Sequence, residues 1–372
     1  MPDSLAPAVL ALIDQADELA QGVLIPIRER GTRVDADTRR AITAASRAAG
    51  IFAMTQPRSV GGLESGSLEL TAVREALGHH DVGHLPGIFG PGPGLLGGVG
   101  EPLHSSHLQP LLAGDKRAAF GFTEPDSAPR HTWARAEGDT LVVNGQKSYV
   151  TGGADADFIN TLVHVDGSGP AMIVIDTDSP GVSMIRRFDS LDGSHHAAFA
   201  FEDVRVPAHR VIGAPGEGLR LTQRLVAQVR MGIAANSVGL CRYLVELVGD
   251  HLAAPHRSGE PLGAREGVRL RYGDLRIQAY AARSTLYRTA RLIDSGAEII
   301  NEVMATKVFA TETVGRLADA AVQLAGGQAL TEGHPVEGVY RRVRTLRLAE
   351  GASDVLTINI ARGALDLHKG RL

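Results

Sequence analysis

A chain of 372 residues, 44% apolar and 22% charged, is long enough for two or three domains and excludes a disordered polymer. Its formal net charge of −4 excludes the basic footprint of a dedicated nucleic-acid binder and leaves small molecules as the expected partners. A single cysteine, Cys241, excludes an intrachain disulfide and a clustered thiolate metal site, and fits a reducing cytoplasm.

From Ser4 to about Leu112 the pattern is helical, with Leu10, Ile13, Ala16 and Ala20, then Ile42, Ala45 and Ala49, recurring at three- and four-residue intervals. The apolar run Ala6 to Ile13 has no basic segment before it and is followed by Asp14, Asp17 and Glu18, which predicts an amphipathic helix rather than a signal peptide. No apolar stretch reaches the roughly 18 residues of a membrane span. A Gly- and Pro-rich stretch, Gly87 to Gly100, interrupts the helices. Within it Gly92 to Gly97 matches GxGxxG, but no β-branched strand precedes it and Pro93 removes an amide a phosphate would need, so a loop is expected.

Between about Ala118 and Val211 the period changes to strands at Leu141–Val143, Phe158–Val165, Ala171–Ile175, Val182–Ile185 and Ala198–Phe201, with Asn144-Gly145 as a hairpin signal. Short strands without intervening helices predict a barrel or sandwich. Beyond Gly216 the helical period returns at Leu221, Leu225, Val229 and Ile233, and further helices are expected over Glu266–Asp294, Ala297–Leu324 and Ser353–Leu367. The simplest packing is a four-helix bundle. The expected class is α+β: an N-terminal helical domain over 1–117, a central β-barrel over 118–215 and a C-terminal four-helix bundle over 216–372.

Tyr149 and Thr151, two apart in one strand, project from one face. An aromatic plane beside a hydroxyl suits a flavin ring, and it equally suits an ordinary sheet face. Phe122-Thr123-Glu124-Pro125 ends a short strand, and Thr123 there can offer a hydroxyl to a polar ring edge. Glu350 stands in an apolar context just before a helix from about Ser353. It reads either as a carboxylate favouring the helix N-terminus or as a dry base. The pairs His80/His84 and His104/His107 lack a third ligand and are expected to be structural, so no metal site is expected. His195-His196 is expected in a loop. Arg341, Arg342, Arg344 and Arg347 read as a solvated helix face.

Segments across almost the whole chain resemble the acyl-CoA dehydrogenase family in the same order. They are Pro57 to Gly62, Phe122 to Pro125, Asn144 to Lys147, Phe201 to Pro207, Gly216-Glu217-Gly218, Gln323 to Gly327, and Glu350 to Ser353. The resemblance implies FAD held between barrel and bundle, completed by a neighbouring subunit in a homodimer or homotetramer. It implies that Thr123 bonds the pyrimidine end of the flavin, Tyr149 flanks the ring and Thr151 lies near N5, with Phe120 and Phe122 in the same cofactor site. Arg257, Gln323, Gly326 and Gly327 would approach the cofactor across the subunit interface, and Ala352, Ser353 and Asp354 would touch the nucleotide. Glu350 would be the catalytic base, with Arg230, Pro129 and Gly351 facing the substrate.

The implied activity is α,β-dehydrogenation of an acyl thioester, on CoA or a carrier protein, to the trans-2-enoyl product. Glu350 takes the α-proton, flavin N5 accepts the β-hydride, and an electron-transfer flavoprotein or another acceptor follows. The thioester carbonyl would sit between the amide of the base residue and a ribityl hydroxyl. A flavin oxidase or monooxygenase on the same fold, and a non-catalytic subunit of a heteromer, are the alternatives.

The chain departs from the family after Pro125. A small-residue turn ending Gly-Ser-Asp is replaced by Asp126-Ser127-Ala128-Pro129-Arg130, so an unusual acyl group or carrier is expected. Ala227 replaces a carboxylate usual before the bundle arginine. The Arg257 to Glu266 segment lacks the family's Phe and Gln, and Tyr340-Arg341-Arg342 stands for Tyr-Arg-Asp.

Overall fold

The computed structural model describes residues 5–31, 34–214 and 216–367, and Ser4, where the helical pattern was expected to start, lies outside them. Helices in chain order are α1 (Pro7–Leu19), α2 (Ile25–Glu29), α3 (Ala36–Ala48), α4 (Ser67–His79), α5 (Gln109–Ala113), α6 (Gly218–Ala253), α7 (Glu266–Asp294), α8 (Ile300–Ala325), α9 (Pro335–Leu346) and α10 (Ser353–Leu365). The chain forms two compact units, one of residues 1–90 with 227–372 and one of residues 91–226.

The first unit is helical. The Asp35 carboxylate accepts the Thr38 amide at 2.8 Å and so caps α3. Helix α4 has no cap of its own, and the Asp294 carboxylate at the end of α7 accepts the Ser67 and Leu68 amides at 2.7 and 2.9 Å. Halfway along α4 the buried Glu75 carboxylate accepts Arg283 Nη2 at 3.2 Å, Arg242 Nη1 at 3.0 Å and the Tyr287 hydroxyl at 2.6 Å. Leu240, Leu244 and Val248 of α6, Leu275 of α7 and Val314 and Leu317 of α8 share one apolar core, with α9 and α10 packed on α8. Cys241 is buried in that core. Helix α6 is long and apolar enough, by length and composition alone, to pass for a membrane span, but 56% of its apolar window is buried inside the fold, as a core helix would be.

The second unit carries β1 (Ala118–Gly121), β2 (Trp133–Glu137), β3 (Thr140–Thr151), β4 (Phe158–Val165), β5 (Gly169–Asp176), β6 (Val182–Asp189), β7 (His195–Pro207) and β8 (Val211–Ile212). The strand order is β6-β7-β3-β2-β4-β5-β8, with β1 paired to β4. The expected barrel is thus a mixed eight-stranded sheet: β1 and β2 run parallel to β4, and no ladder among the described residues joins β6 to β8.

Two sequence expectations fail here for local reasons. Asn144-Gly145 is no hairpin turn but a bulge inside the twelve-residue β3, where the register against β7 shifts between Val143 and Gly145. Gly145 has φ +139°, and a Cβ there would stand 2.6 Å from Thr132 Cα, so the close approach of β2 requires glycine. Asn144 spans the bulge, donating to Asp203 Oδ1 at 3.1 Å and accepting the Asp203 amide at 3.0 Å. Likewise His195 and His196 open strand β7 rather than lying in a loop, because they pair with β6 and β3.

The paired histidines lie beside carboxylates. His80 lies 2.9 Å from Asp17, and buried His107 lies 2.9 Å from Asp176, which also receives Arg210 at 2.7 Å. Burial, helped by Arg342 and Arg28, holds His84 down at about 3.

Candidate functional site

In the second unit, Thr123 and Tyr149 are brought together by a pair of groups that the sequence reading passed over. Lys147 is buried, and its ammonium donates to Glu124 Oε1 at 2.7 Å and to the Phe122 carbonyl at 3.2 Å. Glu124 also accepts the Thr132 amide at 2.9 Å and lies 2.7 Å from His131 Nδ1. Partial burial opposes ionisation of Glu124, but the hydrogen bonds from Lys147, His131 and Thr132 prevail and hold its carboxyl at about 2. The Ser148 amide donates to the Thr123 carbonyl at 2.8 Å, so residues 122–124 run beside 147–149.

Tyr149 departs from regular strand geometry. Its φ is +51°, and a register shift falls between Lys147 and Val150, so simple alternation does not explain its facing. Tyr149 and Thr151 nevertheless meet one neighbour: Thr151 Oγ1 lies 3.1 Å from His196 Nδ1, and the Tyr149 ring lies 6.4 Å from that imidazole. Phe188 meets Tyr149 edge-on at 5.3 Å and stacks on His196 at 5.4 Å. Tyr149 is 65% exposed and Phe122, stacked on Phe120, 42% exposed, so an aromatic shelf flanked by the exposed Thr123 and Thr151 stands uncovered within this unit. This fits one face of a planar, polar-edged ring. Replacing Tyr149 with Ala is expected to weaken FAD binding about tenfold, the scale of one lost ring contact, measured by titrating apoprotein with FAD. Pro129 is exposed in the loop after this shelf, following a turn in which the Ala128 amide meets the Pro125 carbonyl at 2.9 Å.

In the first unit, Glu350 lies in the turn between α9 and α10. Both Glu350 and Gly351 are left-handed, with φ +52° and +104°. For Glu350 this costs about 1 kcal/mol or more. For Gly351 a side chain is barred, since a Cβ would stand 2.9 Å from buried Leu356 and 3.3 Å from Arg230 Nη2. The twist points two successive carbonyls at two cations. Arg230 Nε donates to the Glu350 carbonyl at 3.0 Å, and the buried Lys307 ammonium donates to the Gly351 carbonyl at 2.9 Å.

The Glu350 carboxyl accepts no hydrogen bond among the described residues. Burial raises its pKa above the ordinary carboxylate range, and Arg230 and Lys307 pull it partly back. Burial and Arg230 in turn bring Lys307 down to about 8, against the pull of Glu350 and Glu312. The N-cap of α10 is Ala352, and no side chain caps it, so Glu350 does not serve as a helix cap. The arrangement is a half-buried carboxylate, without a fixed partner, on a backbone turn held from behind.

Lys307 was missed by sequence reasoning, although a signal exists. It occupies a core position in the stripe Val303, Lys307, Ala310, Val314 and Leu317, where an ammonium needs a buried acceptor. Lys307→Met is expected to lose about 1–3 kcal/mol of stability, because the Gly351 carbonyl loses its donor. It is also expected to move the acidic limb of a Glu350-dependent pH profile upward, since one cation lowering that carboxyl is gone. An unmoved limb would separate Lys307 from Glu350.

The remaining predicted residues are dispersed in the first unit. Gln323 is exposed on α8, which ends at Gly326 with φ +77° and ψ −163°, a conformation open to glycine alone, and neither Gly326 nor Gly327 has an atom within 4 Å of where a Cβ would stand. This is bare backbone, approachable from outside. Arg257 is exposed in the α6–α7 loop, where Ser258 Oγ bonds His256 Nδ1 at 2.8 Å. Ser353 caps back onto the Arg347 carbonyl through its amide at 3.0 Å, and Asp354 is exposed in the first turn of α10.

The comparisons with known proteins point to one family. The family model for the acyl-CoA dehydrogenase C-terminal domain matches residues 216–365, and that for the middle domain matches residues 119–204. The human mitochondrial short-chain specific acyl-CoA dehydrogenase is 27% identical over 327 residues, covering 84% of this chain and 79% of that protein. A putative acyl-CoA dehydrogenase structure from Mycobacterium abscessus superposes with a TM-score of 0.85 at 25% identity, over 98% of this chain and all (100%) of that one. Butyryl-CoA dehydrogenase from Megasphaera elsdenii, at 22% identity and TM-score 0.83 over 98% of this chain and 100% of its own, shares the fold.

Proposed function

This chain belongs to the acyl-CoA dehydrogenase family, whose members are FAD-binding oxidoreductases, and from that premise we propose that it dehydrogenates an acyl thioester between Cα and Cβ with Glu350 as the base. The observation that carries the proposal is the Glu350 turn. Its carboxyl is half-buried, raised in pKa and, among the described residues, free of any hydrogen-bond donor that would hold its lone pairs. A carboxylate so placed is a stronger base toward a thioester α-proton than a solvated one.

Bound FAD would supply the hydride-accepting chemistry for the β-hydrogen. The chain's own residues do the rest. Glu350 holds the α-proton after transfer, and its amide, which has no acceptor among the described residues, is left to donate to the thioester carbonyl as negative charge develops there. Arg230 and Lys307 fix the two carbonyls behind the carboxylate, so amide and carboxylate keep one geometry throughout. Phe122, Thr123, Tyr149 and Thr151 would hold one face of the cofactor ring. In the proposed homodimer or homotetramer, Gln323, Gly326 and Gly327 would meet the cofactor of a neighbouring copy. A cytoplasmic location and a separate electron-accepting flavoprotein complete the proposal.

Anaerobic mixing of FAD-loaded protein with straight-chain, branched and carrier-linked acyl thioesters tests it. At least one is expected to bleach the flavin and yield a 2-enoyl product. Rapid oxygen consumption with an oxygenated product would instead make the chain an oxidase or monooxygenase.

A further inference from the structure

The aromatic shelf of the second unit is backed by a polar chain that the proposed chemistry leaves unused. His196 stands directly opposite Thr151 in the β3–β7 ladder and opposite Phe188 in the β6–β7 ladder. Its ring stacks on Phe188 at 5.4 Å, and each of its nitrogens meets one hydroxyl at 3.1 Å, Thr151 Oγ1 at Nδ1 and Ser194 Oγ at Nε2. Behind Ser194 lies Asp192, whose Oδ1 accepts the Ser194 hydroxyl at 2.6 Å and the Ser194 amide at 3.0 Å. The chain therefore runs Asp192, Ser194, His196, Thr151.

The protons fix the direction of these bonds. Ser194 has one hydroxyl hydrogen, and a carboxylate at 2.6 Å is a stronger acceptor for it than an imidazole nitrogen. With that hydrogen on Asp192, Ser194 Oγ is left to accept from His196, so Nε2 carries the N–H. Burial, together with His195, lowers the His196 pKa below the ordinary imidazole value, against the pull of Asp192 and Asp189. At neutral pH and above, His196 thus holds one proton, on Nε2, and its Nδ1 is a bare acceptor. Thr151 must then donate to Nδ1. Because Thr151 is exposed, its oxygen presents only lone pairs to whatever covers the shelf.

We propose that His196 is a positioning residue that makes Thr151 a hydrogen-bond acceptor toward the flavin, so that the shelf holds the reduced ring more tightly than the oxidised one. The inference rests on the reading that Tyr149 and Thr151 hold that ring. The hydride given up by the thioester turns one edge nitrogen of the ring from an acceptor into an N–H donor. A hydroxyl that can only accept pairs with the second state and sets lone pair against lone pair in the first.

Dye equilibration of the FAD-loaded protein without thioester, at about pH 8 where the imidazole is neutral, reads this preference as the flavin midpoint potential. His196→Phe keeps an aromatic ring against Phe188 and removes both nitrogens. It is expected to lower the preference for reduced flavin about tenfold, a fall of about 30 mV for a two-electron couple. His196→Asn, whose Oδ1 can still accept from Thr151, is expected to recover most of that fall. Thr151→Val is expected to give a similar fall, to which His196→Phe adds nothing further. An unmoved potential in His196→Phe or Thr151→Val would overturn the proposal, as would a fall that Asn does not recover or that adds to the Thr151→Val effect. Nitrogen NMR of the histidine-labelled chain without FAD, with His196 assigned by its loss in the Phe variant, reads the tautomer separately: Nε2–H is expected, and Nδ1–H would overturn the proposal. Failure of FAD to bind would remove the flavin reading and the proposal with it, whereas bound FAD with an unmoved potential counts against His196 alone.

Discussion

Replacing Glu350 with Gln is expected to lower the rate of flavin reduction by acyl thioester by about 10²- to 10⁴-fold while FAD remains bound. Glutamine keeps the side-chain volume and leaves the backbone turn to Arg230 and Lys307, whose contacts are to carbonyls and not to the carboxylate. What it loses is the lone pair that accepts the proton. In the wild type the active form is the carboxylate, and burial raises its pKa. Reduction is therefore expected to fall as pH drops through that raised value, earlier than for a solvated Glu, and Glu350→Gln should show no such limb. Stopped-flow reduction across pH measures both. Unchanged bleaching by the variant would require another base.

The second large effect concerns stability. Glu75→Ala is expected to destabilise the protein by about 3–5 kcal/mol, because Arg242, Arg283 and the Tyr287 hydroxyl all turn toward a carboxylate that is only 1% exposed. Removing it leaves two guanidinium groups without a counter-charge. The same cluster ties α4 to α6 and α7, so the loss should appear as a cooperative shift in denaturant midpoint. A shift below about 1 kcal/mol would mean that water replaces the carboxylate.

Much of this was legible in the sequence. Helix α7 begins and ends at Glu266 and Asp294 as its apolar period predicts, and β4 spans Phe158–Val165. These are long elements with one clear period, where pattern and packing agree. The misreadings share a different cause. Asn144-Gly145 carries hairpin chemistry, yet the glycine is there because β2 approaches too closely for a side chain. The buried charges, Glu75, Lys147 and Lys307, each stand where an apolar residue would fit the periodicity, and their partners lie 23 to 212 residues away in sequence. No local window contains both halves of such a pair. Glu350 sits between these cases. Its neighbours Gly351 and Ser353 carry a local signature, but the conformation that separates a base from a helix cap depends on Arg230 and Lys307, from two other helices.

The most direct test of the central claim is the absorbance of the purified, FAD-supplemented chain during anaerobic titration with acyl-CoA thioesters. The account predicts a bound flavin that bleaches with at least one thioester and releases the 2-enoyl product. A chain that binds no flavin, or whose bound flavin stays oxidised with every thioester, would contradict it.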